Sequence, residues 1–155
     1  MELISQNCEL SPAEKAKFIE KSSQKMKDDL SGYSVNLKEI FDGKIKNEKQ
    51  YNSPIKLCDI NFYSHCKHHF SPIIGKITIS YIPHEWIIGF SRIMDCINAF
   101  TQRLQIQEEL TIEIAQAIFD GVSAKSVTVN ITAKHYCMQQ IPNQILPEIH
   151  TTHTI

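Results

Sequence analysis

Residues Phe62-Tyr-Ser-His-Cys-Lys-His-His-Phe70 place a thiol, a lysine and three imidazoles between aromatic brackets. His65, Cys66, His68 and His69 are all potential metal ligands. Cys66 and His69 stand three apart, so a tight turn lets both reach one ion. A second group is His135-Tyr136-Cys137. Upstream of it, Val127, Val129, Ile131 and Ala133 alternate with Thr128, Asn130, Thr132 and Lys134, a period of two. Continuing that parity brings His135 and Cys137 out together on the apolar side at the end of a strand. A catalytic zinc takes three protein ligands and keeps one tetrahedral position open. Cys66, His69 and Cys137 would supply such a set, and two thiolates with one imidazole favour zinc over the oxygen-seeking magnesium and calcium.

The same residues have plainer readings. A Cys and a His three apart occur by chance, and an isolated cysteine such as Cys137 is more often a buried hydrophobe. Gln105, Gln107 and Glu108 read equally well as a solvated helix start. His65, His84, His150 and His153 read as surface or hydrogen-bonding histidines. Spacing alone leaves metal site and structural thiols open.

The elements that must position these groups follow from periodicity and punctuation. Ser11-Pro12-Ala13-Glu14 has capping-box spacing with proline at the first helical position, which predicts a helix from about Pro12 to Leu30. Residues 31–53 predict a loop with a short helical turn. Strands are predicted at 55–63 and 73–82, followed by a turn around Trp86. Ser91 is the expected cap of a helix carrying Ile93, Ile97 and Phe100. Ile106, Leu110, Ile114, Ala117 and Ile118 mark a second helix, stopped by Gly121. The strand through Val127 and Lys134 and a last one over about Leu146 to His153 complete the order. The predicted class is α+β, an antiparallel sheet with helices on one face. Residues 1–54 are read as an N-terminal helix and linker, and 55–155 as one globular unit.

The bulk numbers fit that reading. A chain of 155 residues with 42% hydrophobic and 21% charged residues is ordinary for a globular protein. Its net charge of −1 offers no global field for nucleic acid or an anionic membrane. The N-terminus lacks the basic start and apolar stretch of a secretion signal, so the expected location is the cytoplasm. Five scattered cysteines argue against a disulfide framework.

Further segments join the two ligand groups. Gly75, Tyr81-Ile82-Pro83, Ile88-Gly89-Phe90-Ser91, Arg103-Leu-Gln-Ile-Gln-Glu108, Leu110-Thr111 and His135-Tyr-Cys-Met138 occur in this order. With Phe62–Phe70 they closely resemble the GTP cyclohydrolase I family, which carries C-E-H-H-F, Y-I-P, V-I-G-L-S-K, R-x-Q-V-Q-E-R-L-T and H-x-C-M at these separations. The resemblance runs from about Leu57 to Met138. It implies a T-fold, an antiparallel sheet with two long helices packed on it, and homo-oligomeric rings, typically decamers of two stacked pentamers with sites between subunits. It implies zinc-dependent hydrolysis at C8 of the guanine of GTP, release of formate and closure to dihydroneopterin triphosphate. Carried over, Cys66, His69 and Cys137 bind zinc, and His68 and His135 transfer protons. Gln107 and Glu108 bind the substrate, Glu108 anchoring the guanine edge. Ser91 and Arg92 lie near the phosphates.

The departures from the family concentrate on the phosphate side. Lys67 stands where the family has Glu, and Glu109 where it has Arg. Asp95 replaces one of the two cations of S-K-x-x-R. Gln139-Gln140-Ile141-Pro142 replaces a segment with an Arg-Gly pair. These changes leave two alternatives beside the GTP reading: a paralogue hydrolysing a related purine or pterin without a full triphosphate, and a catalytically silent ring-former that binds a purine. The ligand set does not by itself exclude iron in place of zinc.

Overall fold

The computed structural model describes residues 10–139, 141 and 145–155. Its first helix, α1 (Pro12–Asp29), is set by Ser11, whose hydroxyl and backbone N–H exchange bonds with the backbone and carboxylate of Glu14. Leu30 closes it. No side chain of α1 is fully buried. The segment expected as loop holds more order: a 3₁₀ turn (Ser31–Ser34), the short α2 (Leu37–Phe41) capped by Asn36, and strand β1 (Ile45–Lys46). Ile40 and Phe41 of α2 join the main core, which is what draws this stretch out of the loop state.

The remaining elements are β2 (Ile55–Cys66), β3 (Pro72–Ile82), β4 (Trp86–Ile87), α3 (Phe90–Thr101), β5 (Leu104–Gln105), α4 (Gln107–Val122), β6 (Ser126–His135) and β7 (Ile149–Thr154). β1 and β4 form a small ribbon. The main sheet has the order β5-β2-β3-β6-β7, antiparallel throughout except for β5 on β2. Strand periodicity divides it cleanly. Ile73, Ile77, Ile79 and Tyr81 of β3 and Val127, Val129, Ile131 and Ala133 of β6 are buried, against Ile93, Ile97 and Phe100 of α3 and Leu110, Ile114 and Ile118 of α4. The opposite parity is polar, with hydroxyl pairs such as Thr128–Thr154 at 3.0 Å. This is the T-fold: a sheet backed on one face by two long helices, preceded by an N-terminal helix. Gly75 is required where β3 meets β6, because a Cβ there would lie 2.6 Å from Cα of Ala133.

Several boundaries differ from expectation. Ser91 is not a cap: α3 starts at Phe90 behind Gly89, whose extended backbone makes the entry without any side-chain bond. Gly121 does not stop α4, which ends instead where Ser123 turns left-handed at φ 50°; Gly121 makes room for the ring of Phe41. The final strand begins at Ile149, not Leu146.

Candidate metal centre and its surroundings

β2 runs three residues further than its apolar pattern suggests, and its last residue is Cys66. A tight turn follows, closed by bonds from Phe70 N to Cys66 O and from Cys66 N to Ser71 O, both 2.8 Å. Phe70 closes it with a positive φ of 55°. β5 buttresses the turn from outside through Lys67 N to Gln105 O at 2.9 Å. Gln105 is itself fixed, its amide donating to Phe100 O and to Glu113.

Across the sheet, β6 ends at His135, opposite Ile73 of β3. Cys137 does not continue the strand. It lies in a 3₁₀ turn (Tyr136–Met138) that bends its sulfur back toward Cys66. The ligand atoms of Cys66, His69 and Cys137 all lie within 4.8 Å of one another. His69 Nδ1 is 3.6 Å from Cys66 Sγ. Bonds of about 2.3 Å to sulfur and about 2.0–2.1 Å to nitrogen, at the tetrahedral angle, require an edge of about 3.6 Å. The donor set and its spacing therefore fit a tetrahedral, thiophilic metal. The thiols divide as partners across one site do. Burial raises Cys66, but the His69 contact, backbone donors of the turn and Cys137 outweigh it and bring it below an ordinary thiol. Burial and the neighbouring Cys66 push Cys137 up.

The other cysteines are elsewhere. Cys96 is buried in α3, and burial, against the pull of Arg103, pushes its thiol up to about 12, so it is an inert hydrophobe. Cys58 is exposed. Cys8 lies outside the described residues.

His135 sits beside the triad on a fixed mount. Its Nε2 donates to Gln107 Oε1 at 2.7 Å. Gln107 is 1% exposed. Its amide nitrogen donates to Ile131 O (3.2 Å), Ile149 O (2.9 Å) and Thr151 Oγ1 (3.1 Å), which clamps the start of α4 to both β6 and β7. Thr111 Oγ1 in turn donates to Gln107 O and meets Thr151 Oγ1, each at 2.7 Å. With its nitrogen so committed, the amide can turn only its oxygen to the imidazole. That places the proton of neutral His135 on Nε2 and leaves Nδ1 as the basic atom. Burial lowers the His135 pKa, and the nearby Glu108 carboxylate partly offsets this. Glu108 is exposed in the first turn of α4. His68 lies in the ligand turn, exposed, its ring 6.1 Å from that of His69.

Two expected site residues are not with the others. Ser91 and Arg92 open α3, whereas it is the far end of α3 that leads into β5 and the triad. At about 1.5 Å per residue, Ser91 lies about 15 Å up the helix from Thr101. Arg92 faces Asp95 at 3.9 Å. Gln140 and Pro142, in the divergent segment, lie outside the described residues; Ile141 is 65% exposed.

His65, read from sequence as peripheral, is 5% exposed. Its ring stacks on Phe70 at 4.8 Å, its Nε2 meets Tyr63 Oη at 2.9 Å, and Asp29 at the end of α1 stands 3.8 Å away. Burial lowers its pKa, against the Asp29 charge. Asp29 is also paired with Lys25. The last turn of α1 thus leans on the ligand turn through His65, a contact that local sequence spacing does not reveal.

Fold and site together place the chain among T-fold proteins with a three-ligand, metal-type centre at one end of the sheet. A family model described as GTP cyclohydrolase I matches residues 12–153. A GTP cyclohydrolase 1 of Bartonella henselae is 41% identical over 112 residues, covering 72% of this chain and 54% of that protein. One of Campylobacter jejuni is 43% identical over 109 residues, covering 70% and 57%. The chain belongs to the GTP cyclohydrolase I family. It spans little more than half the length of these relatives. Among solved structures, an apo archaeosine synthase QueF-Like matches with TM-score 0.55 at 16% identity, over 66% of this chain and 92% of that one, a likeness of fold.

Two of the departures from the family motifs turn out to be one. Lys67 Nζ lies 3.3 Å from Glu109 Oε2. The motifs have a carboxylate at the first position and a cation at the second, so this chain carries the pair with its charges exchanged. Lys67→Glu alone is expected to lower stability by up to ~1 kcal/mol, because both groups are half exposed and solvent screens them. Lys67→Glu with Glu109→Arg should recover the loss. A double-mutant cycle of thermal midpoints checks this, and additivity would show that the two side chains do not interact.

Proposed function

We propose that the chain is a zinc-dependent cyclohydrolase that opens the imidazole ring of a guanine nucleotide at C8, the reaction for which its relatives' name makes GTP the reference substrate. The observation that carries the reading is the convergence of Cys66, His69 and Cys137 on one point beside an imidazole whose basic nitrogen is preset by Gln107. Zinc bound by these three residues would supply a Lewis acid that lowers the pKa of water toward neutrality.

The chain's own residues account for the rest. Glu108 can accept from both N1–H and the exocyclic amine of a guanine edge, a charge-assisted pair that fixes the base. His135 Nδ1 can take a proton as water adds to C8, and His68 can deliver one to a departing ring nitrogen. Each of the two bonds from C8 to nitrogen consumes one water, and the carbon leaves as formate. We place Ser91 and Arg92 against such a substrate from a second copy, in a homo-oligomer with sites between subunits, ring-shaped by analogy with the family. No described helix is long and apolar enough to cross a membrane, and we place the protein in the cytoplasm.

The test is metal content of the purified chain together with formate release and pterin fluorescence after incubation with GTP, GMP and guanosine. Metal-loaded protein that releases no formate from any of them would refute the reading. Gln107→Leu probes the mount of His135. Leaving Ile131 O and Ile149 O without their donor should cost about 1–3 kcal/mol in thermal stability. Released from its partner, His135 should lower kcat with little change in KM. An unchanged kcat in folded protein would count against a positioning role.

A further inference from the structure

The turn that carries two of the three ligands is held in an unfavourable shape. Phe70 closes it at φ 55°, a left-handed conformation that is costly for a bulky side chain. In that conformation its N–H bonds to Cys66 O at 2.8 Å, and His69 folds back so that Nδ1 lies 3.6 Å from Cys66 Sγ. The Phe70 ring is 44% exposed and stacks on His65, with centroids 4.8 Å and planes 22° apart. His65 is fixed in turn. Its Nε2 meets Tyr63 Oη at 2.9 Å and stands 3.8 Å from Asp29 Oδ2. Asp29 is the last residue of α1. Lys25, one turn earlier, pairs with it and lies 5.9 Å over the Tyr63 ring. Two residues of α1 therefore grip two residues of β2 just before Cys66. No side chain of α1 is fully buried, and this cluster is one of its seats on the sheet.

We propose that His65 is a positioning residue for the metal, and that it couples α1 to metal binding. Asp29 steadies the imidazole, the imidazole steadies Phe70, and Phe70 keeps Cys66 and His69 spaced to share one ion. The proposal rests on the metal reading of Cys66, His69 and Cys137 and needs no particular substrate. Linkage makes the coupling reciprocal. A helix end that tightens metal binding is itself held more firmly once the metal is bound.

Zinc affinity of the full chain, by competition with a chromophoric chelator, tests one direction. Groups that support metal ligands count for about 10–100-fold. His65→Leu, which loses the stacked ring and both polar partners, should weaken zinc binding by about that factor, and Asp29→Ala by about tenfold. Asp28→Ala is the control, because the Asp28 carboxylate accepts from Gln24 at 2.8 Å on the helix itself; its zinc affinity should match that of the unaltered chain. Hydrogen exchange of the amides of residues 25–30, with and without zinc, tests the other direction. Protection should rise on zinc binding in the unaltered chain and stay flat in Asp29→Ala. A purely structural contact would lower the thermal midpoint of the metal-free variants and move neither reading. Asp29→Ala decides the matter alone if His65→Leu does not fold. Equal zinc affinity in Asp29→Ala and the unaltered chain, or protection indifferent to zinc, overturns the proposal and leaves the metal reading standing. An unaltered chain that binds no zinc defeats the metal reading and the proposal with it.

Discussion

Cys137→Ala is expected to lose its metal. Truncation takes away one of two sulfurs in a three-ligand set and leaves Cys66 and His69, a pair in one turn with no third anchor from the protein. Changes to groups that merely support metal ligands cost about 10–100-fold in affinity, so loss of a ligand itself should exceed about a hundredfold. Metal content after gel filtration, measured beside Cys96→Ala as a control, reads the effect directly. Cys96 is buried in α3 and protonated, so its variant should keep the metal and lose only packing. Equal metal in the Cys137 variant and the unaltered chain would refute the assignment. Because Cys137 reaches the site from a 3₁₀ turn rather than a strand, Cys137→His is not expected to restore binding fully: the longer ring moves the donor atom away from the position the sulfur holds.

His135→Ala separates chemistry from metal binding. The imidazole stands outside the group formed by Cys66, His69 and Cys137, and its Nε2 is held by Gln107 at 2.7 Å. Metal content should therefore stay near that of the unaltered chain, while turnover falls by about 10²–10⁴-fold, the usual contribution of a positioned acid–base group. Loss of metal along with activity would mean that His135 belongs to the ligand set. His135→Gln is the sterner version. It can keep a hydrogen bond to Gln107 and so preserve the local fold, yet it cannot exchange a proton, and its activity should be as low as that of the alanine variant.

Much of this site could be read from the chain before any coordinates. The period-two pattern from Val127 to Ala133 placed β6 and the approach of His135, and the Cys-x-x-His turn is where spacing put it. What sequence could not supply was long range. Gln107 looked like a substrate contact or a solvated helix start. Its actual partners, Ile131 O, Ile149 O and Thr151, come from two strands brought beside α4 only by the sheet order. Ser91 looked like a helix cap, but Gly89 makes the entry, and the length of α3 sets Ser91 apart from the triad of its own chain. Lys67 looked anomalous until Glu109 was found opposite it, 42 residues along the chain. The stretch from Ser31 to Ser53 read as loop because its apolar residues are few. Two of them, Ile40 and Phe41, are enough to seat it on the helices.

A lineage that exchanged the two charges by direct single substitutions, with no neutral residue between, would pass through like charges face to face. At a half-solvated position that stage is cheap, on the order of 1 kcal/mol or less, so drift could carry a population across without a simultaneous double change. The crossing leaves a trace for anyone splicing segments between this protein and its relatives. A hybrid taking only the cysteine-bearing hairpin, or only the following helix, sets like charges face to face. One taking both does not.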